Sequence, residues 1–187
     1  VGADIAVDIW NALVEWIDKE VLDAFSYRGL VYESADYHNA VFVGADREGK
    51  PRHIHKHSTA AQGSFKGNAP GSDPEYSFHW VGGGETLFLF EAPIDMLSFI
   101  SMHKQHWKSS SYAAACGVSD KVLWKTMEGR PFIRNVCICL DNDETGQKAA
   151  QRISRALTEK DIRNQILVPT RKDWNEDLLF LRKEDRK

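Results

Sequence analysis

No apolar run in the sequence approaches the roughly 20 residues that a membrane-spanning helix needs. The first residues also lack the basic, apolar and small-residue zones of a secretory leader. A cytoplasmic protein with no membrane partner is therefore expected. Cysteine is scarce: Cys116, Cys137 and Cys139 form no C-x-x-C pair, and no cysteine and histidine set stands at zinc-finger spacing. A GxxxxGK[ST] phosphate loop is missing too, which excludes a helicase motor of that kind. Nor is there a surplus of positive charge. With 24 Lys and Arg against 27 Asp and Glu, the net charge of -3 argues against a surface that coats nucleic acid wholesale, while leaving room for a local basic groove.

What is present reads as an ordinary globular chain. Its 187 residues, 42% of them hydrophobic, suffice for a main domain with a smaller companion. Ile9, Trp10, Leu13, Val14 and Ile17 recur at the spacing of one helical face, continued by Val21, Leu22 and Phe25. The stretches "RGLVYES" and "NAVFVGADREGKPRHIHKHST" then read as strands, the second as a pair joined through "ADREGKP". "SFKGNAPGSDPEYSFHW" concentrates turn residues and reads as a loop. After Gly82–Gly84, strands and helices alternate: "TLFLF", a helix from Pro93, "SYAAACG", a helix capped by Ser119, "NVCICL", a helix from Glu144, and "NQILVP". Such alternation predicts an α/β fold whose mostly parallel four-stranded sheet carries helices on both faces, preceded by a smaller α+β subdomain. The expected divisions are 1–84, 85–170 and a tail at 171–187.

Ligands of open parallel sheets sit beyond the carboxyl ends of the strands. Glu91 directly follows the first of these strands, Asp141 follows the third, and Asp143 lies two residues further on. Three carboxylates converging there would repel one another unless a cation or protons intervened. Oxygen-only ligands suit Mg2+ or Mn2+. The alternative is plain capping, in which Asp143 and Glu144 complement the start of a helix.

These residues also carry a resemblance. "LFLFEAPIDMLSF", "AACG", "CLDNDETGQKAA" and "KDWNEDL" resemble the Toprim domain, the metal-binding catalytic fold of bacterial primases, topoisomerases and some nucleases. Glu91 stands at the place of its glutamate, and Asp141 and Asp143 at the places of its Asp-x-Asp pair. The primase version of the first motif, Glu-Gly-x-x-Asp, reads Glu91-Ala-Pro-Ile-Asp95 here, and the third motif extends to Gly146, Ala149 and Ala150. The likeness covers about residues 28–178 and is narrowest to primase-like Toprim proteins of bacterial mobile elements, which often sit inside larger replication or conjugation proteins. Two departures stand out: Ala92 replaces the usual glycine, and His57, beside Lys56, stands where related chains tend to carry arginine.

The resemblance implies that Asp141 and Asp143 bind a divalent ion. Glu91 would complete the site or act on the attacking or leaving oxygen, and Asp95 would support those ligands from behind or hold a second ion. Lys56, Lys66 and Lys172, with His57, are the candidates for holding nucleotide or nucleic acid, with Arg52 behind them. Single-stranded DNA and nucleoside triphosphates are the implied partners. Three functions stay open: a primase-like nucleotidyltransferase, a Toprim nuclease, and a non-catalytic DNA-binding module. A topoisomerase would need a strand-cleaving tyrosine domain for which the chain has no room.

Other residues have plainer readings. His53, His55 and His57 share a strand face, either an exposed polar one or a phosphate or metal site. Tyr76, Phe78 and Trp80 also alternate, and would form a half-buried face or stack on bases. The cysteines read as buried thiols rather than zinc ligands, Trp174 as folding the tail onto the sheet, and "LRKEDRK" as a solvated charge run.

Overall fold

The computed structural model describes residues 15–35, 39–57, 66–117 and 119–185. Ile9, Trp10, Leu13 and Val14, expected on the first helix, lie outside them. Helix α1 (Lys19–Tyr27) starts where the Asp18 carboxylate accepts the Glu20 backbone N–H, and it buries Val21, Leu22 and Phe25. An antiparallel sheet follows, in the order β1 (Val31–Glu33), β2 (Ala40–Ala45), β3 (Pro51–His57), β4 (Lys66–Asn68). The β2–β3 turn is closed by Asp46, whose carboxylate accepts the Lys50 N–H, and by Gly49, whose φ of 80° suits a residue without Cβ.

The main sheet has five strands rather than the expected four, in the order β5-β7-β6-β8-β9. Strands β6 (Thr86–Phe90), β7 (Ser111–Ala114), β8 (Asn135–Cys139) and β9 (Arg163–Ile166) are parallel, and β5 (His79–Trp80) adds an antiparallel edge on β7. Side-chain alternation divides the core. Leu87, Leu89, Ala113, Val136 and Ile138 face helices α3 (Lys121–Met127) and α4 (Glu144–Thr158). Phe90, Tyr112, Ala114, Cys137 and Cys139 belong to the other side, with α2 (Pro93–Met102), α5 (Trp174–Glu184) and α1. Helices therefore cover both faces, and within the described residues none is long and apolar enough to cross a membrane.

Several expectations are corrected. The stretch read as a loop contains β4, a 3-10 turn (Pro74–Tyr76) and β5, elements too short to show a period. Phe78 and Trp80 are core residues packed on Phe25, so their rings are not open to bases. His53 and His55 are buried rather than exposed, because their strand face turns toward Phe42 and the main sheet. Asp120, not Ser119, occupies the N-cap of α3. The tail contains α5, helical to Glu184, and the charge run from Leu181 is solvated as read. Cys137 and Cys139 are buried on one face, as expected, and Cys116 is partly buried, its thiol pushed up to about 12 by burial.

Candidate functional site

Phe90 and Cys139 are register partners on adjacent parallel strands, so Glu91 and Asp141 leave the sheet side by side at its carboxyl edge. Asp143 caps α4, its Oδ1 accepting the Gly146 N–H at 2.8 Å. Capping and site formation are thus compatible: the cap uses one oxygen and fixes the direction of the other. Gly146 is required by close approach, since a Cβ there would lie 2.4 Å from the Asp141 carbonyl oxygen. The same carbonyl accepts the Gln147 side-chain amide at 3.0 Å, so the Asp141 backbone is held from two directions.

A second segment closes on this edge. The Asn142 N–H donates to the Lys172 carbonyl at 2.7 Å, and the Asn142 side chain donates to Pro169. Asp177 accepts the N–H groups of Thr170 and Arg171, and Asp173 caps α5 through the Glu176 N–H. Trp174 anchors the helix: its indole N–H donates to the Cys139 carbonyl at 2.9 Å, and its ring meets Phe99 edge-on. The reading of Trp174 as the residue that folds the tail back agrees with this placement.

The electrostatics are those of crowded carboxylates. Burial, then Glu91, Asp173 and Asp143, push the Asp141 carboxyl up to about 7 against the pull of Lys172. Glu91 is raised by burial and by Asp143, with Lys66 and Lys172 opposing. Asp95 is 4% exposed and raised well above the carboxylate range by burial, Asp173 and Asp141, while its Oδ1 accepts the Asn175 N–H at 3.1 Å. Asp95 thus ties α2 to the first turn of α5 from beneath the cluster.

Lys66 and Lys172 are the cations brought to the acids. His57 is the register partner of Lys66 across β3 and β4, and burial, then Lys66, lowers its pKa to about 4. Lys56 lies on the opposite face of β3 from the histidines and is not among the cations acting on Glu91, Asp95 or Asp141. Arg52 is engaged elsewhere, beside Asp46 and Asp73 and over the Tyr76 ring. Asp173 was missing from the sequence-derived set. The signal for it was its place ahead of Glu176, a capping pattern directly after Lys172.

The donor set fits a hard divalent cation. Glu91 Oε2 and Asp141 Oδ1 are buried without a hydrogen-bond partner, acceptors that an oxygen-seeking ion would satisfy. Among the described residues no three acidic, histidine or cysteine side chains form a ready-made cage. Mg2+, which keeps much of its water and binds through one or two carboxylates, does not need one.

Comparison with known proteins bears on the fold that carries this site. Residues 88–178 match the family described as Toprim-like. The chain carries a Toprim-like domain. Residues 14–84 match a second family, described as a protein of unknown function (DUF3991). An uncharacterized Bacillus anthracis protein, pXO2-78, is 28% identical over 156 residues, 77% of this chain. The chain spans 45% of that relative's length. Among solved structures, the primase fragment of the bacteriophage T7 primase-helicase superposes with a TM-score of 0.66 at 16% identity, covering 91% of this chain and 69% of the fragment. T7 primase domains bound to an RNA/DNA hybrid and dTTP give 0.62 at 19%, covering 91% and 83%. The Aquifex aeolicus primase, with its zinc-binding and RNA polymerase domains, gives 0.55 at 15%, covering 90% and 45%. The Toprim sheet and the small sheet before it thus share the fold of primase cores.

Proposed function

We propose that the chain is a metal-dependent phosphoryl-transfer protein acting on nucleic acid, and that its reaction is primase-like nucleotidyl transfer during replication or transfer of mobile-element DNA. The observation that carries the reading is the pair of buried, unpartnered oxygens on Glu91 and Asp141 at the carboxyl edge of the Toprim sheet. Asp141 and Asp143 would hold Mg2+ or Mn2+, with Glu91 completing the set. When bound, the ion supplies polarisation of a phosphoryl oxygen and charge for the displacement.

The chain's own residues account for the rest. Lys66 and Lys172 flank the acids and meet the negative charge of a transferring phosphate. Asp173 adds to the field that keeps Asp141 avid for a cation, and Asp95 positions α5. The T7 structure bound to an RNA/DNA hybrid and dTTP supports single-stranded DNA and nucleoside triphosphates as substrates here. Other domains of a longer replication or conjugation protein would supply template reading.

A nuclease is the second reading, and His57 favours it. Its pKa of about 4 leaves it uncharged at neutral pH, so this position offers a triphosphate no cation. The deciding measurement uses labelled single-stranded DNA, nucleoside triphosphates and Mg2+ or Mn2+, beside a variant carrying Asp141→Ala and Asp143→Ala. New short strands made only by the intact protein would establish the polymerase; shortened input DNA would make it a nuclease. No metal-dependent change in either strand would leave a binding module.

A further inference from the structure

A cavity of about 730 Å³ lies away from the acids. The β2–β3 turn forms one wall, and β5 with the last turn of α3 forms the other. Strand β3 runs between the two places: His57 is the partner of Lys66 near the carboxylates, while Pro51 lines the cavity. Its seven residues amount to roughly 20 Å of extended chain. The proposed transfer reaction makes no use of this space, whose volume lies within the range of small-ligand sites.

Its walls carry guanidinium groups that close no ion pair, although the Glu128 carboxylate is near enough to act on Arg47 and Arg130. Lys125 is paired with Glu128 at 2.6 Å and Glu75 at 3.9 Å, and Asp46 lies 3.5 Å from Arg52. Among the described residues Arg28, Arg47 and Arg130 have no such ion pair. Arg47 donates to the Glu128 carbonyl and Arg130 to the Thr126 carbonyl, contacts that suit cations at the C-terminal end of α3. Each such bond uses one of five donors and leaves the others. Burial and the neighbouring Arg47 disfavour the charge on Arg130, Glu128 offsets them only in part, and a bound anion would relieve the remainder. The Arg28 guanidinium lies 3.7 Å from the Trp80 ring centroid and is exposed on its outer side, a plate on which a base stacks.

We propose that this cavity is a second nucleotide site, taking a free nucleoside polyphosphate with its phosphates on Arg47 and Arg130 and its base against Arg28. The cavity is larger than phosphate alone would fill. The acids Asp46, Glu48, Glu75 and Glu128 on the same walls oppose a continuous phosphate backbone, whereas a compact polyphosphate reaches the arginines without passing them all. The proposal is independent of the reaction at the carboxylate edge.

The test is calorimetric titration of the whole chain with ATP and with GTP at low salt in EDTA, where metal-assisted binding at the acids is silent. Arg47→Ala and Arg28→Ala are each expected to weaken binding about tenfold. Arg28→Ala removes a side chain whose recorded contact is the face of Trp80, so it reports on the site even if Arg47→Ala disturbs α3. A Lys66→Ala, Lys172→Ala double variant should bind like the native chain. Absence of binding at millimolar nucleotide, or loss of it in the lysine variant but not the arginine variants, would overturn the site. Displacement of the nucleotide by oligothymidylate, with the same arginine dependence, would overturn the compact ligand in favour of a strand.

Discussion

Asp141 shows how a single residue records its surroundings. Its carboxyl titrates near 3.8 when unperturbed and at about 7 in the fold, so between those values the fold holds more protons than the unfolded chain and stability falls as pH rises. Asp141→Asn is therefore expected to raise the urea midpoint at pH 8 in metal-free buffer, with the difference vanishing below pH 4. Added Mn2+ should then stabilise the native chain at pH 8 and the variant much less. His53 titrates in the opposite sense. Burial lowers it from 6.5 to about 4, so the unfolded chain takes up a proton that the fold refuses, and stability falls as pH drops through that window. Neither of its ring nitrogens has a partner. His53→Leu should flatten the loss between pH 6.5 and 4 and be neutral to stabilising at pH 7.5, as urea midpoints at the two ends would report. The placement of Glu91 and Asp141 beyond adjacent strand ends, and of Asp143 at the start of α4, was legible in the sequence because strand ends and motif spacing fix it. The burial of His53 was not: alternation says which residues share a face, never which way that face turns.

At the scale of elements, α5 is the piece whose position the site depends on most. Trp174→Phe keeps the ring but leaves the Cys139 carbonyl without its buried donor, an expected cost of about 1 to 3 kcal/mol. Trp174→Ala should cost about 3 to 5 kcal/mol. Denaturant midpoints would check both, and divalent-ion affinity should fall along the same series as Asp173 drifts from the cluster. The long strands and helices were readable from apolar period and cap residues. Strands β4 and β5, of three and two residues, were not, because they exist through pairing with β3 and β7 rather than through a pattern of their own. The helical state of the charge run from Leu181 was not readable, because α5 turns only Trp174 and Leu178 toward the core and its last turn is solvated.

Across the whole molecule, the two sheets touch directly beside the cavity. Gly44 lies so close to the 76–77 segment that a Cβ would stand 1.6 Å from the Tyr76 carbonyl oxygen. Gly44→Ala is expected to lower the thermal midpoint by an amount equivalent to about 1 to 3 kcal/mol or more, read by circular dichroism and tryptophan fluorescence together. Both probes should report one transition in the native chain. The reason is the ring cluster that joins Phe25 of α1, Phe42 of the small sheet, and Phe78 and Trp80 at the edge of the main one. That cluster also constrains inheritance. A recombination joint between the two sheets would hand each product an oily wound, so the pieces prosper only when they travel together, whatever neighbours they acquire on either side.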